Sequence, residues 1–282
     1  MHIEKPIFII GTGRSGTTMV HEILCNHPNL TWFSVLLSVF PSKIRLNKLY
    51  MQLIDLPIIG TILKKYIIPT ESYQFWENYA KGFSKPFRDL TENDLTVKVK
   101  ETIPKIFSKT LTKKRNRLLI KITGWPRIGY ILKIFPDAKF IHIKRDSRAV
   151  TNSFLNVYFW KGWEGPNNWR WGNLTEEQKV EWEKHDKSFV ALAAINYKIM
   201  DNAINKAVNK LNQNQFLEIN YEDICENPVQ EFNKMLEFTE IKKSKPFNKF
   251  IKKQKIRNTN YKLEKELTEN QKFILNDVLN KI

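Results

Sequence analysis

The strongest constraint on this chain is a loop of glycines and hydroxyls set between an apolar run and a helix pattern. Ile7-Phe8-Ile9-Ile10 is a short continuous apolar run, as expected of a strand buried on both faces of a parallel sheet. It meets Gly11-Thr12-Gly13-Arg14-Ser15-Gly16-Thr17-Thr18, after which residues 17–26 read as a helix with Met19, Val20, Ile23 and Leu24 on one face. Glycines let the backbone turn tightly, and the first N–H groups of a helix lack intrahelical acceptors. The loop therefore presents donors to an anion, most often a phosphate. Strand followed by crossover helix commits the chain to an α/β fold with a parallel sheet flanked by helices.

The pattern recurs downstream. Further strands are expected at residues 30–35, 118–122, 138–143 and 216–219, with helices at 128–135, after Arg145-Asp146, and as one long element over 176–211. Residues 36–116 are mostly helical in pattern, with loop signals at Pro69-Thr70 and Lys85-Pro86. There is no internal repeat and no low-complexity linker. One domain over 1–282 is expected, with its core in 5–35 and 117–240, a helical insertion at 36–116 and a basic segment at 242–282.

Charge narrows the partners. The chain carries 46 Lys+Arg against 29 Asp+Glu, a net +17, which points to an anionic partner; the 36 lysines among those bases also reflect general composition. Cys25 and Cys225 are too few for a disulfide framework and lie in no metal-ligand spacing. The four-residue apolar run near the N-terminus is far short of a signal-peptide core. The most apolar long stretch, residues 49–68, is broken by Asp55, Pro57, Gly60 and Lys64-Lys65, so it reads as a core or lid helix pair rather than a membrane anchor. A cytoplasmic enzyme without a transmembrane segment is expected, and peripheral membrane contact is compatible with its charge.

Two common nucleotide motifs overlap the loop, and both fail in detail. Gly11, Gly13 and Gly16 fit G-x-G-x-x-G, but residues 29–35 lack the acidic ribose partner of a dinucleotide fold. Gly11 and Gly16 also fit the loop of nucleotide hydrolases, yet Thr17 stands where those enzymes need lysine. The strand at 138–143 is followed by Lys144-Arg145 before Asp146, which gives poor support to a magnesium-holding aspartate. Arg14 and hydroxyls take the place of lysine and metal.

Residues 8–18 resemble the 5′-phosphosulfate loop of sulfotransferases that use 3′-phosphoadenosine 5′-phosphosulfate (PAPS). The Arg-Ser-Gly-Thr-Thr core is similar to that of the tyrosylprotein and bacterial carbohydrate branches. A second block, Phe135-Pro136-Asp137-Ala138-Lys139-Phe140-Ile141-His142-Ile143-Lys144-Arg145-Asp146-Ser147-Arg148, resembles the family's 3′-phosphate segment. The resemblance implies that Arg145 and Ser153 hold that phosphate, and a guanidinium fork with a hydroxyl suits a dianion. Tyr221-Glu222-Asp223-Ile224 is similar to a family segment of architectural role, with Asp223 expected to cap the next helix and Pro228 in its first turn. Arg257-Asn258-Thr259-Asn260-Tyr261-Lys262 resembles the segment that closes over the nucleotide, which makes Arg257 and Lys262 candidate phosphate contacts. The remaining bases of 242–257 read as a solvated face.

The resemblance implies a fold like the P-loop nucleoside kinases, PAPS as co-substrate, no metal, and a small-molecule, glycan or peptide acceptor. Gly11, Thr12, Gly13, Arg14, Ser15, Gly16, Thr17 and Thr18 would hold the 5′ side. Lys121, within Leu118-Leu119-Ile120-Lys121-Ile122, is expected at the sheet's carboxyl edge near the sulfate. For the general base, Glu71 stands among apolar and aromatic neighbours, surroundings that suit a carboxylate to proton transfer; it could equally begin a helix. Glu101 and His185 are weaker candidates, and His21, His27 and His142 have structural explanations. Trp160, Trp163, Trp169 and Trp171 form either a stacking lid or local packing. Two rival functions remain at this point: a P-loop small-molecule kinase, and a basic nucleic-acid-binding module, against which stands the lack of any RNP-type or helix-turn-helix pattern.

Overall fold

The computed structural model describes residues 2–84, 87–162 and 172–280. The chain begins with β1 (Ile7–Gly11), α1 (Thr17–Leu24) and β2 (Leu30–Trp32). Five helices follow: α2 (Val35–Val39), α3 (Ile44–Leu53), α4 (Pro57–Tyr66), α5 (Tyr73–Tyr79) and α6 (Val97–Ser108). Then come β3 (Arg117–Thr123), α7 (Ile128–Ile134), β4 (Lys139–Lys144), α8 (Ser147–Leu155), α9 (Glu176–Lys184), α10 (Phe189–Val208) and β5 (Phe216–Asn220). The C-terminal part comprises α11 (Tyr221–Glu226), α12 (Pro228–Phe238), α13 (Lys245–Lys252), α14 (Lys262–Glu266) and α15 (Glu269–Asn280).

The five strands form one sheet in the order β2-β3-β1-β4-β5, every neighbouring pair parallel. β1 is central, with Ile7 level with Leu119 of β3 and with Lys139 of β4. The loops leaving β1, β3 and β4 therefore emerge side by side at the carboxyl edge, where open α/β sheets place their ligands.

The strands read as unbroken apolar runs because both faces are covered. Phe8, Ile10, Leu118, Ile120 and Phe140 face one cluster, packed with Phe75, Trp76, Phe107 and Ile131 from α5, α6 and α7. Ile7, Ile9, Leu119, Ile141 and Ile143 face the other, packed with Val20, Leu24, Phe232 and Phe247 from α1, α12 and α13. The helices of 36–116 thus share the cluster of the sheet. A third cluster joins α8, α10 and α15 outside these layers.

Several expectations are corrected. The stretch 176–211 is two helices: Asp186 and Lys187 adopt positive φ of 51° and 55°, and Ser188 starts α10 by accepting from the Ala191 N–H. Asp223 caps nothing. It lies inside α11 and accepts from Asn220, while Asn227 occupies the N-cap position of α12 and Pro228 its first turn. Residues 49–68 form the expected helix pair, but α4 is not core: Ile58, Ile59, Ile62 and Tyr66 are exposed. No helix among the described residues is long and apolar enough to cross a membrane. Trp160 is buried in the third cluster, edge-on to Phe189, which is packing rather than a lid; Trp163, Trp169 and Trp171 lie outside the described residues. The basic run is the expected solvated face over α13, which buries Phe247 and Ile251 and turns its lysines outward.

Candidate active site

Gly16 begins α1 at φ 97°, in the left-handed region where a side chain is strained, and a Cβ there would lie 2.5 Å from the Tyr221 ring. A Cβ on Gly11 would lie 2.6 Å from Ser15 Oγ and 2.9 Å from the Ile143 carbonyl. These glycines let the loop pass against β4 and α11. No side chain caps α1 and no acid stands in its first turn, so its N–H groups face outward uncompensated. Ser15 Oγ is buried with no hydrogen-bond partner among the described residues. Such a cradle of unpaired donors fits a phosphate group.

Three cavities converge on this loop, and Arg14 lines all of them. The largest, about 800 Å³, runs from Gly16, Thr17 and Thr18 along Met19 and Glu22 to Tyr221, Ile256 and Arg257. The second, about 430 Å³, lies between Thr17, Thr18, Glu71, Lys121, Thr123 and Arg127. The third, about 240 Å³, contains Arg145, Ser153, Asn260 and Lys262. Of the residues singled out from sequence, Gly13, Arg14, Gly16, Thr17, Thr18, Glu71, Lys121, Arg145, Ser153, Arg257 and Lys262 line these spaces, whereas Gly11, Thr12 and Ser15 line none of the three.

Arg14 sits at φ 71° and donates from Nε to Ser153 Oγ at 2.9 Å. Burial, and then the nearby Arg145 guanidinium, hold Arg14 below its ordinary pKa. Arg145 donates to the Arg14 carbonyl, to Thr259 Oγ1 and to Asn260 Oδ1, and lies 4.5 Å above the Tyr221 ring. Asp146 is not its partner: that carboxylate accepts from the Arg148 N–H and pairs with the Arg148 guanidinium. Neither guanidinium makes an ion pair with a carboxylate among the described residues, which favours an incoming anion on electrostatic grounds.

In the second cavity Lys121 Nζ donates to Thr18 Oγ1 at 2.8 Å and pairs with Glu71 Oε1 at 3.4 Å. Thr123 Oγ1 donates to the same carboxylate oxygen at 2.6 Å. Glu71 does not begin α5 and is not in apolar surroundings. Its carboxylate is held by polar partners, one of which touches the phosphate loop. Tyr73 donates to the Thr123 carbonyl, and burial, with the Glu71 carboxylate adding to it, pushes its phenol up to about 12, so it stays neutral.

The other base candidates lie elsewhere. Glu101 is exposed on α6 and lines none of these cavities. His185 ends α9, where its Nε2 faces Glu181 and Asp277, away from the loop. His21 lies on the buried face of α1, and burial, with Lys121 adding to it, lowers its pKa strongly.

Sequence reasoning missed Thr123, Tyr73, Arg127 and the clamp residues Thr259 and Asn260. Thr123 had a signal, since two residues beyond Lys121 on a strand is the same face. Arg127 had none, because its placement depends on the turn after β3.

A parallel sheet whose central strand feeds a glycine-and-hydroxyl loop, with cavities meeting there, defines an anion-binding α/β protein of the P-loop kind. The particular family follows from comparison with known proteins: a model of the sulfotransferase family matches residues 6–245, and the chain belongs to that family. An uncharacterised protein of Aquifex aeolicus is 24% identical over 243 residues, 84% of this chain and 26% of that protein. An omega-hydroxy-beta-dihydromenaquinone-9 sulfotransferase of Mycobacterium bovis is 27% identical over 190 residues, 55% of this chain and 45% of that protein. The chain thus spans less than half the length of either curated relative. Among solved structures, sulfotransferase STF9 of Mycobacterium avium superposes with a TM-score of 0.60 at 17% identity, over 100% of this chain and 78% of that one. The sulfotransferase domain of the curacin biosynthetic pathway gives 0.54 at 13% identity, covering 99% of this chain and 98% of that one. At these identities the likeness establishes a shared fold.

Proposed function

We propose that the chain is one PAPS-dependent sulfotransferase domain, acting on a hydroxyl or amine of an acceptor that enters the second cavity. The observation that carries the reading is the contact line Thr18–Lys121–Glu71, which joins the phosphate loop to the acceptor-side cavity beside Arg14. Family membership supports it, as does the opening of the largest cavity, about 800 Å³, at the phosphate loop.

In this reading residues 11–18 hold the 5′-phosphosulfate, and Arg145, Ser153 and Lys262 meet the 3′-phosphate in the third cavity, with Arg257 at the rim of the first. The acceptor oxygen or nitrogen attacks sulfur in line with the bridging oxygen, and the bond from sulfur to that oxygen breaks. Glu71 takes the acceptor's proton. Arg14, Lys121 and the loop N–H groups meet the negative charge that collects on the departing 5′-phosphate. Orientation of the two reactants supplies much of the remaining rate. In this reading Arg14 and Lys121, both lining the second cavity, meet that charge, and no metal is assigned to the site.

The test is a thermal-shift and calorimetric comparison of adenosine 3′,5′-bisphosphate with ADP and ATP, with and without magnesium. Selective stabilisation by the bisphosphate is expected. Equal binding of nucleotides with and without the 3′-phosphate, or magnesium-dependent ATP turnover, overturns the reading in favour of a kinase.

A further inference from the structure

Seventeen large apolar side chains are exposed among the described residues, and ten of them lie in the thirty positions from 39 to 68. Helix α4 concentrates them. Ile58, Ile62 and Tyr66 stand four residues apart on one stripe, at 77%, 54% and 77% exposure, with Ile59 beside them. The opposite side of α4 is its seat: Gly60 approaches the Ile54 backbone so closely that a Cβ would lie 2.2 Å from the carbonyl oxygen. Helix α4 therefore rests on the end of α3 with its apolar stripe outward. Scattered apolar residues on a surface need no explanation, but a continuous stripe does.

The charges around the stripe are one-sided. Lys43, Arg45, Lys48, Lys64 and Lys65 lie in the same segment. Its single acid, Asp55, is already engaged by Arg115 at 2.8 Å and Lys114 at 3.2 Å. None of the five bases makes an ion pair among the described residues. An apolar stripe on a short helix with lysines at its C-terminal end matches a helix lying in the plane of an anionic bilayer interface, the isoleucines among the acyl chains and the lysines at the headgroups. A protein partner would have to be both acidic and apolar over the same strip, whereas an anionic membrane offers both layers at once. The surface also adjoins the site, since Lys64, Ile67, Ile68 and Pro69 form part of the wall of the largest cavity.

We propose that α4 is a peripheral membrane-docking helix that seats the protein on anionic lipid with the largest cavity opening beside the bilayer. The test is co-sedimentation of the full chain with vesicles of phosphatidylcholine alone and with about one-third phosphatidylglycerol. Binding to the anionic vesicles, weakened by salt, is expected. The double substitution Ile58→Ser/Ile62→Ser should reduce it about tenfold or more, and Lys65→Glu several-fold, with melting temperature unchanged because these side chains are exposed. Absence of binding to anionic vesicles at low salt, or binding untouched by both variants, overturns the proposal. A dimer in solution that Ile58→Ser/Ile62→Ser dissociates also overturns it, by making the stripe an interface between copies. Should the double variant fail to fold, Tyr66→Ser and Lys65→Glu carry the same comparison.

Discussion

At the scale of single residues, Arg14 is where the three cavities meet, and its guanidinium is already short of compensating charge. In the proposed reaction, removing it takes away a preorganised cation at the point where negative charge develops. Arg14→Ala should therefore lower turnover by about 10²-fold or more, more than it weakens nucleotide binding. Steady-state kinetics at saturating PAPS check this; loss of affinity with turnover intact would remove Arg14 from the chemistry. Glu71 takes the acceptor's proton in the proposed reaction. Glu71→Gln keeps the side chain's size and its hydrogen bond from Thr123 but deletes the base, and a drop of about 10² or more is expected. Turnover within about threefold of the parent would leave Glu71 a positioning group for Lys121.

At the scale of elements, the loop and α1 work only if the glycine at their junction stays bare. Gly16→Ala places a Cβ against Tyr221 in a left-handed conformation. It should cost about 1–3 kcal/mol of stability, read by denaturant unfolding, and should weaken bisphosphate binding with it. The other end of α1 is tied by Arg115, which is buried and donates to the carbonyls of His27 and Leu30 and to Asp55. One side chain thereby joins the exit of α1, the start of β2 and the turn before α4. Arg115→Met should destabilise by about 3–5 kcal/mol, because two carbonyls lose their donor and Asp55 loses its nearer cation. A loss below about 1 kcal/mol in an unfolding titration would show that water or Lys114 replaces it.

At the scale of the whole molecule, stability should depend on pH through the turn between α1 and β2, which packs against α13. Burial lowers His27 to about 4, with its Nε2 against the Lys242 carbonyl and its ring edge-on to Phe247. The unfolded chain, with an ordinary histidine near 6.5, takes up this proton at higher pH than the folded one. Its contribution is therefore complete above about 6.5 and is lost as pH falls towards 4. Asp89, pushed up to about 6 by burial, acts with the opposite sign over part of that window. Comparison with His27→Gln isolates the histidine: the variant's stability should fall less between pH 6.5 and 4.5, and an identical slope would refute the assignment.

The sheet and the phosphate loop were legible in the chain itself because their determinants are contiguous. An apolar run, a glycine loop and an amphipathic helix within twenty residues specify a parallel strand, a tight turn and a helix start without help from elsewhere. The same locality located β3, β4 and β5 to within a residue or two and put Arg145 at a strand end. Local pattern could not place groups brought together from far apart. Thr123 meets Glu71 across 52 positions, Lys121 meets Thr18 across 103, and Arg145 meets Thr259 across 114. Nor could it tell a buried apolar helix from an exposed one: α4 has an ordinary amphipathic pattern, and only the way it seats on α3 turns its isoleucines outward. The break between α9 and α10 was hidden for a related reason, since positive φ at Asp186 and Lys187 carries no compositional mark. The chain alone thus determined the class of fold and the position of its glycine-and-hydroxyl loop, because short-range sterics and periodicity decide both. Tertiary packing decided which carboxylate meets Lys121 beside the phosphate loop and which surface faces outward, because those depend on the register of elements that sequence separation leaves free.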